Sequence, residues 1–299
     1  MTAMRFGVMP PVGAGVCADP DWMRAFAGHI ESLGFESIVA AEHPLVISGY
    51  TSRYPYGRSG RMPLADHCPV PDPIDMLAFL AGCTKSLGLA TGVLILPAHN
   101  PVTLAKRVAT LDALSHGRVR LGVGIGWMRE ELEACGAEFG SRGRRTDESI
   151  DVLRALWADS GDEGASFSGE FFRFQNANCY PKPVRPVGVP VHVGGHSKAS
   201  IRRAALKGDG WQPLGIGDDE FDDALSLLRE EATKAGRDPQ TIEVTLSTGA
   251  TITTAESAEN ALAAGVTRLV CASVTGDLHQ AQDEMSALAE RVGLVPSGG

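Results

Sequence analysis

No stretch of this 299-residue chain approaches the roughly 18 consecutive apolar residues that a membrane-spanning helix needs. Its opening, MTAMRFGVMPPVGAG, meets Pro10 and Pro11 after one short apolar run, too short for a signal-peptide core. Neither export nor membrane insertion is expected. Paired-cysteine motifs are absent too: the six cysteines, at 17, 68, 83, 135, 179 and 271, include no CxxC. That scatter fits reduced thiols in the cytoplasm better than a disulfide framework. Positive charge is in deficit, with 27 Lys+Arg against 36 Asp+Glu and a net charge of −9, which opposes binding to nucleic acid or an anionic membrane. Low-complexity linkers and internal repeats are missing, so nothing divides residues 1–299 into separate domains. At 43% hydrophobic and 21% charged residues, what remains is a globular chain able to bury a large core.

Short β-branched or apolar runs alternate with helical patterns along the whole sequence. Strands are expected at 5–9, 37–41, 89–96, 119–124, 189–194, 210–213, 242–247 and 268–272. Helices are expected at 21–33, 72–87, 101–114, 144–158, 198–207, 219–235, 255–264 and 277–292. Eight of each in strict alternation predict an α/β fold of the (β/α)8 TIM-barrel type. Asp72-Pro73 and Asn100-Pro101 read as N-caps with proline at the first helical position. Gly34, Gly88, Gly117, Gly208, Gly236 and Gly265 follow helical patterns, where a left-handed cap is wanted. The sixth strand, DGWQP, is short enough to be read as a loop.

Two segments exceed ordinary connections and read as insertions after strands two and four. Residues 44–72 carry five prolines, three arginines and the rings of Tyr50, Tyr54, Tyr56 and His67. Because loops after barrel strands form the active-site face, this segment is expected to be a substrate lid. Residues 159–188 contain FSGEFFRF, whose alternation predicts a small hairpin laid over the barrel.

Chemistry in such a barrel belongs at the C-terminal strand ends. Strand two runs into Glu42-His43, where His43 is either a hydrogen-bonded structural residue or a proton carrier, with Glu42 fixing its tautomer or pairing with another cation. Gly92, inside a branched strand, marks either tight packing or a bulge where the backbone approaches something flat. Strand four, RVRLGVGIGW, places Gly122, Gly124 and Gly126 on one side ahead of Trp127. This GxGxG is not the GxGxxG dinucleotide fingerprint and does not follow the first strand. Gly194 and Gly195 end strand five, and Ser197 then opens a cationic helix, a plausible phosphate cradle of backbone N–H groups. His192 and His196 are four apart, but in a strand followed by a Gly-Gly turn they do not converge on a metal. Neither HxH at the first strand nor a GxSxG elbow is present, which disfavours hydrolase readings.

Three segments, GFESIVAAEHP (34–44), TGVLILPAHNPVTLAKRVATLDALSHGRVRLGVGIGW (91–127) and PVHVGGHSKASIRRAALKGDGW (190–211), resemble the bacterial luciferase-like monooxygenase superfamily in order and spacing. Agreement runs over most of residues 4–275, and the details are most similar to the branch that uses coenzyme F420, a 5-deazaflavin. The resemblance implies a non-prolyl cis peptide at Gly92–Val93 against one face of the ring, with Glu42 and His43 facing that ring. It places Gly124, Gly126 and Trp127 beside the cofactor and Gly194, Gly195 and His196 at its phosphate. Trp127 stands where sugar-phosphate dehydrogenases of this branch carry glutamate, which argues against a sugar phosphate. An F420-dependent oxidoreductase acting on a small organic substrate is therefore expected, with His43 and Glu42 as catalytic residues. Alternatives are an FMN-dependent monooxygenase and a non-catalytic deazaflavin-binding protein. The resemblance also implies a homodimer, and no metal is expected.

Overall fold

The computed structural model describes residues 3–295, so positions 1–2 and 296–299 of the expected domain lie outside the described residues. Eleven strands are found among them: β1 (Arg5–Met9), β2 (Ser37–Ala40), β3 (Gly88–Thr91), β4 (Leu94–Ile95), β5 (Val119–Gly124), β6 (Ala165–Ser168), β7 (Arg173–Ala177), β8 (Val191–Gly194), β9 (Gly210–Gln212), β10 (Glu243–Gly249) and β11 (Arg268–Ala272). The helices are α1 (Pro20–Ser32), α2 (Pro73–Cys83), α3 (Pro101–Leu114), α4 (Arg129–Ala134), α5 (Arg142–Trp157), α6 (Lys198–Lys207), α7 (Asp218–Lys234), α8 (Ala255–Ala264) and α9 (Leu278–Val292).

Nine strands form one parallel sheet in the order β3-β2-β1-β11-β10-β9-β8-β5-β4, and the further pairing of β3 with β5 closes it. Since β3 and β4 are two halves of one barrel position, the result is the eight-position (β/α)8 barrel. DGWQP does form a strand: β9 pairs with both β8 and β10. The third position is split because Ala90 faces Arg120 while Leu94 faces Val123, so four steps of one strand span three of its neighbour. That extra residue makes a bulge at Gly92–Val93, and this peptide bond is cis.

Both expected N-caps form, Asp72 accepting from Ile74 and Asp75 N–H and Asn100 from Val102 and Thr103 N–H. Gly34, Gly117, Gly236 and Gly265 are left-handed, but Gly88 and Gly208 are not. Those two are glycines for want of space. A Cβ on Gly88 would lie 2.8 Å from the Glu36 carbonyl oxygen, and one on Gly208 2.9 Å from that of Gly210. Helix α2 stops four residues before its expected end, where Arg118 donates to the carbonyls of Ala81, Thr84 and Leu87 and so replaces the missing helical bonds.

The end of the barrel opposite the strand tips is plugged by charge. Glu36 accepts from Arg120 and Arg268, and Glu243 accepts from Arg5 and Arg268. His192 is sealed beside them at 1% exposure, held far below its ordinary value by burial and then by Arg120 and Arg268. Above this layer Met9, Val39, Ala90 and Val270 fill the interior. In barrels of this type, chemistry on a small molecule belongs to the rim beyond the strand tips.

Candidate active site

Two histidine–carboxylate pairs sit at the end of the second strand, and they are not the pair expected. Successive side chains of an extended chain point to opposite sides, so Glu42 and His43 diverge. Glu42, 5% exposed, accepts from Ile95 N–H at 2.5 Å and lies 2.8 Å from His99 Nε2. His43 instead presents Nδ1 to both carboxylate oxygens of Glu131, at 3.1 Å each. Glu42 therefore does not orient His43; Glu131 does. A carboxylate can only accept, so His43 Nδ1 carries the hydrogen and Nε2 is left available as donor or acceptor. Glu131 is fully buried on α4 and also accepts from Leu45 N–H at 3.2 Å.

Sequence reasoning passed over Glu131 and His99. Glu131 lies in MREEL, where nothing marks the second glutamate as inward except the apolar Met128 and Leu132 beside it. His99 precedes the Asn100 cap and reads as loop.

The glycines at the tips make room first for one side chain. A Cβ on Gly124 would fall 2.7 Å from Val93 Cγ2, and one on Gly194 2.8 Å from Val93 Cγ1. On Gly122 it would meet the Thr91 carbonyl oxygen at 2.1 Å, and on Gly92 the Val39 Cγ1 at 2.3 Å. The expected bare stripe is thus filled from the bulge, and the partly exposed Gly92–Val93 pair forms the floor of the mouth. Gly126 and Gly195 are glycines for their hand, at φ +74° and +91°.

Beyond Gly195 the chain enters α6, whose N-cap Ser197 accepts from Ser200 N–H. Ser197, Lys198 and Ala199 are exposed, so the positive end of this ten-residue helix faces out. His196 Nδ1 beside it is buried without a partner. His192, by contrast, packs on Gly210 at the plugged end, so the two histidines do not converge. A cationic helix start with an orphaned imidazole nitrogen fits an anionic phosphate, and a flat half-exposed bulge beside it fits a ring. These residues are compatible with a flavin or deazaflavin.

Residues 44–72 cap the mouth as a lid. Trp127 makes edge contacts with His43, Tyr50 and Tyr54, and Tyr54 with Tyr56, whose ring reaches His196. Burial pushes the Tyr54 and Tyr56 phenols up, so they remain hydroxyls. Glu130 clamps the lid by accepting from the N–H and hydroxyl groups of both Thr51 and Ser52. The Ser52 hydroxyl is the leading cause that holds its carboxyl at about 2. At the far side Cys68 Sγ lies 3.1 Å from the Val12 carbonyl oxygen. The expected hairpin β6–β7 forms, but along the flank of α5: Glu148 accepts from the N–H groups of Glu170, Phe171 and Phe172 in its bend.

A family model described as luciferase-like monooxygenase matches residues 2–292. Among curated proteins, an uncharacterized protein of Mycobacterium tuberculosis is 35% identical over 211 residues, covering 70% of this chain and 72% of its own. The phthiodiolone/phenolphthiodiolone dimycocerosates ketoreductase of Mycobacterium kansasii is 34% identical over 173 residues, 57% of this chain and 47% of its own. Among solved structures, an F420-dependent secondary alcohol dehydrogenase with an F420-acetone adduct superposes at TM-score 0.77 over 97% of this chain and 99% of its own, at 17% identity. The FMN-bound oxygenating constituent of 3,6-diketocamphane monooxygenase from Pseudomonas putida reaches 0.64 over 83% and 67%, at 21% identity.

Proposed function

The chain belongs to the luciferase-like monooxygenase family, and from that premise we propose that it is an F420-dependent oxidoreductase working on the carbonyl or alcohol carbon of a small organic substrate. The observation that carries this reading is the His43–Glu131 pair at the end of the second strand, 3.1 Å apart, in which the Nδ1–H faces the carboxylate and Nε2 is left available. The names of the dehydrogenase and ketoreductase relatives support the choice of carbon.

A reduced deazaflavin, when bound, supplies a hydride, and its oxidised form accepts one. The chain's own groups do the rest. Gly92 and Val93 would support the ring, while His196 and the start of α6 would hold its phosphate. In the reducing direction His43 Nε2 gives a proton to the substrate oxygen; in the oxidising direction it takes one away. Glu131 fixes the tautomer that leaves Nε2 usable and stabilises the imidazolium when it forms. Trp127 and the lid tyrosines exclude water. Glu42 holds the bulge in place through Ile95 N–H and is a positioning residue.

A flavin-dependent monooxygenase on the same barrel is the second reading, favoured by the FMN-bound relative. Titrating the protein with F420 and with FMN in parallel separates the two. Micromolar or tighter F420 binding with weak FMN binding is expected; the reverse order would transfer the reading to the monooxygenase. A third outcome, F420 binding with no turnover of any ketone or alcohol tried, would point to a carrier protein instead, while turnover unaffected by His43→Ala would remove His43 as the proton carrier.

A further inference from the structure

The Arg–Glu layer that plugs the barrel is also the inner wall of a cavity of about 350 Å³ at the end opposite the strand tips. Each of the eight barrel strands gives it a first residue or the one just before, and residues 185–188 add a further wall. Clefts that hold small molecules begin near this size, at roughly 300 Å³. The lining sets the guanidinium groups of Arg5, Arg118, Arg120, Arg185 and Arg268 against the carboxylates of Glu36, Asp209 and Glu243. That is a surplus of two positive charges in one place, on a chain whose net charge is −9.

The three carboxylates are already occupied. Glu36 and Glu243 accept from the arginines of the plug, and Asp209 accepts from Arg154 of α5 and from Val191 N–H at 2.8 Å. The arginines are not all matched. Arg185, exposed at the rim, donates from Nη2 to the Gly117 carbonyl at 3.2 Å and makes no ion pair among the described residues. Arg5 places Nη1 on Glu243 at 2.7 Å and Nε on the Thr267 carbonyl at 3.4 Å, which leaves its Nη2 over. The His192 ring is part of the same lining, with Nδ1 buried and without a partner and Nε2 a long 3.5 Å from Glu243. Gly210 makes room for that ring, since a Cβ there would fall 2.4 Å from Nδ1. A buried polar atom left unpaired calls for an explanation, and a bound molecule is one. Guanidinium forks fit the oxygens of phosphates and carboxylates, and positive charge gathered in a cleft raises the local concentration of anions.

We propose that this cavity binds a small oxyanion of two or more negative charges, a phosphate group or a polycarboxylate, with Arg5 and Arg185 as its guanidinium contacts and His192 in the wall behind it. The site lies at the end of the barrel away from His43 and the lid, so the inference does not depend on the oxidoreductase reading. An anion that binds only the folded chain ties residues 185–188 to the strand starts and stabilises the barrel by mass action.

The test is calorimetric titration of the full chain with inorganic phosphate, with citrate and, as control, with chloride, at constant pH and ionic strength, beside thermal unfolding in the same salts. Phosphate or citrate should bind saturably in the millimolar range or tighter and raise the unfolding midpoint, while chloride does neither. Phosphate ahead of citrate identifies a phosphate ester as the occupant, and the reverse order a polycarboxylate. Arg185→Glu, at an exposed position, should weaken binding at least about tenfold, and Arg185→Lys should keep most of it. Histidine imidazole resonances read the location. Phosphate should shift those of His192 in the wild type and in His196→Asn, which alters the anionic cradle at the mouth, and far less in Arg185→Glu. Absence of saturable binding beyond chloride overturns the proposal. So does binding that Arg185→Glu leaves intact, and so does binding that moves no His192 resonance and is lost in His196→Asn, since the ion then sits at the mouth.

Discussion

His43 and Glu131 form the pair on which activity should depend most. His43→Ala should lower kcat by roughly a hundredfold or more, the usual size of a general acid–base contribution. Glu131→Gln keeps an acceptor for Nδ1 but removes the charge, so about tenfold of kcat should go with KM nearly unchanged. Glu131→Leu removes both and should cost more, and recovery from Leu to Gln would separate positioning from mere packing. Steady-state kinetics on the three variants checks this order. A second residue-scale expectation concerns His192, buried neutral among Arg5, Arg120, Arg268, Glu36 and Glu243. Its folded value lies below the unfolded 6.5, so the unfolded chain binds the extra proton, and stability is lost as pH falls below about 6.5. Between pH 7.5 and 5.5 the wild type should lose about 1 kcal/mol from this group, and His192→Asn should show a flatter slope in urea unfolding. At this scale the sequence put His43 just after the second strand, as the structure does, but offered Glu42 as its partner where the structure has Glu131. Alternation along an extended chain makes neighbours diverge, and the true partner lies 88 positions away.

Among the elements, the split third strand and the lid carry the site. Val93 projects from the bulge into space that Gly124 and Gly194 leave open, so Gly124→Ala should overpack the tip and cost about 1–3 kcal/mol. Val93→Ala should largely relieve Gly124→Ala, and a double-mutant cycle by chemical unfolding reads that coupling. The lid hangs on Glu130, which accepts four hydrogen bonds from Thr51 and Ser52. Glu130→Ala should speed tryptic cleavage at Arg53, Arg58 or Arg61 several-fold while leaving the barrel's unfolding midpoint nearly unchanged. Strand and helix positions were legible because the apolar period and the Asp72-Pro73 and Asn100-Pro101 caps are local signals. The end of α2 was not, since Arg118 terminates it from across the fold. Nor was the placement of β6–β7, which Glu148 on α5 decides.

For the molecule as a whole, the barrel has one end lined by Glu36 and Glu243 paired with Arg5, Arg120 and Arg268, and a mouth that carries the His43–Glu131 and His99–Glu42 pairs. No helix among the described residues is long and apolar enough to cross a membrane. A cofactor that binds only the folded mouth should raise unfolding free energy by about 2.7 kcal/mol at a hundred times its Kd, and thermal unfolding with F420 or FMN reads out which one does so. The sequence by itself determined the barrel, the positions of its strand tips and the long segment 44–72, because each follows from local periodicity and from residues that stay on one loop. Tertiary structure alone decided which carboxylate holds which histidine and which side chain fills the gap above the glycines. Those facts depend on closure of the sheet, which brings together residues that no local pattern relates.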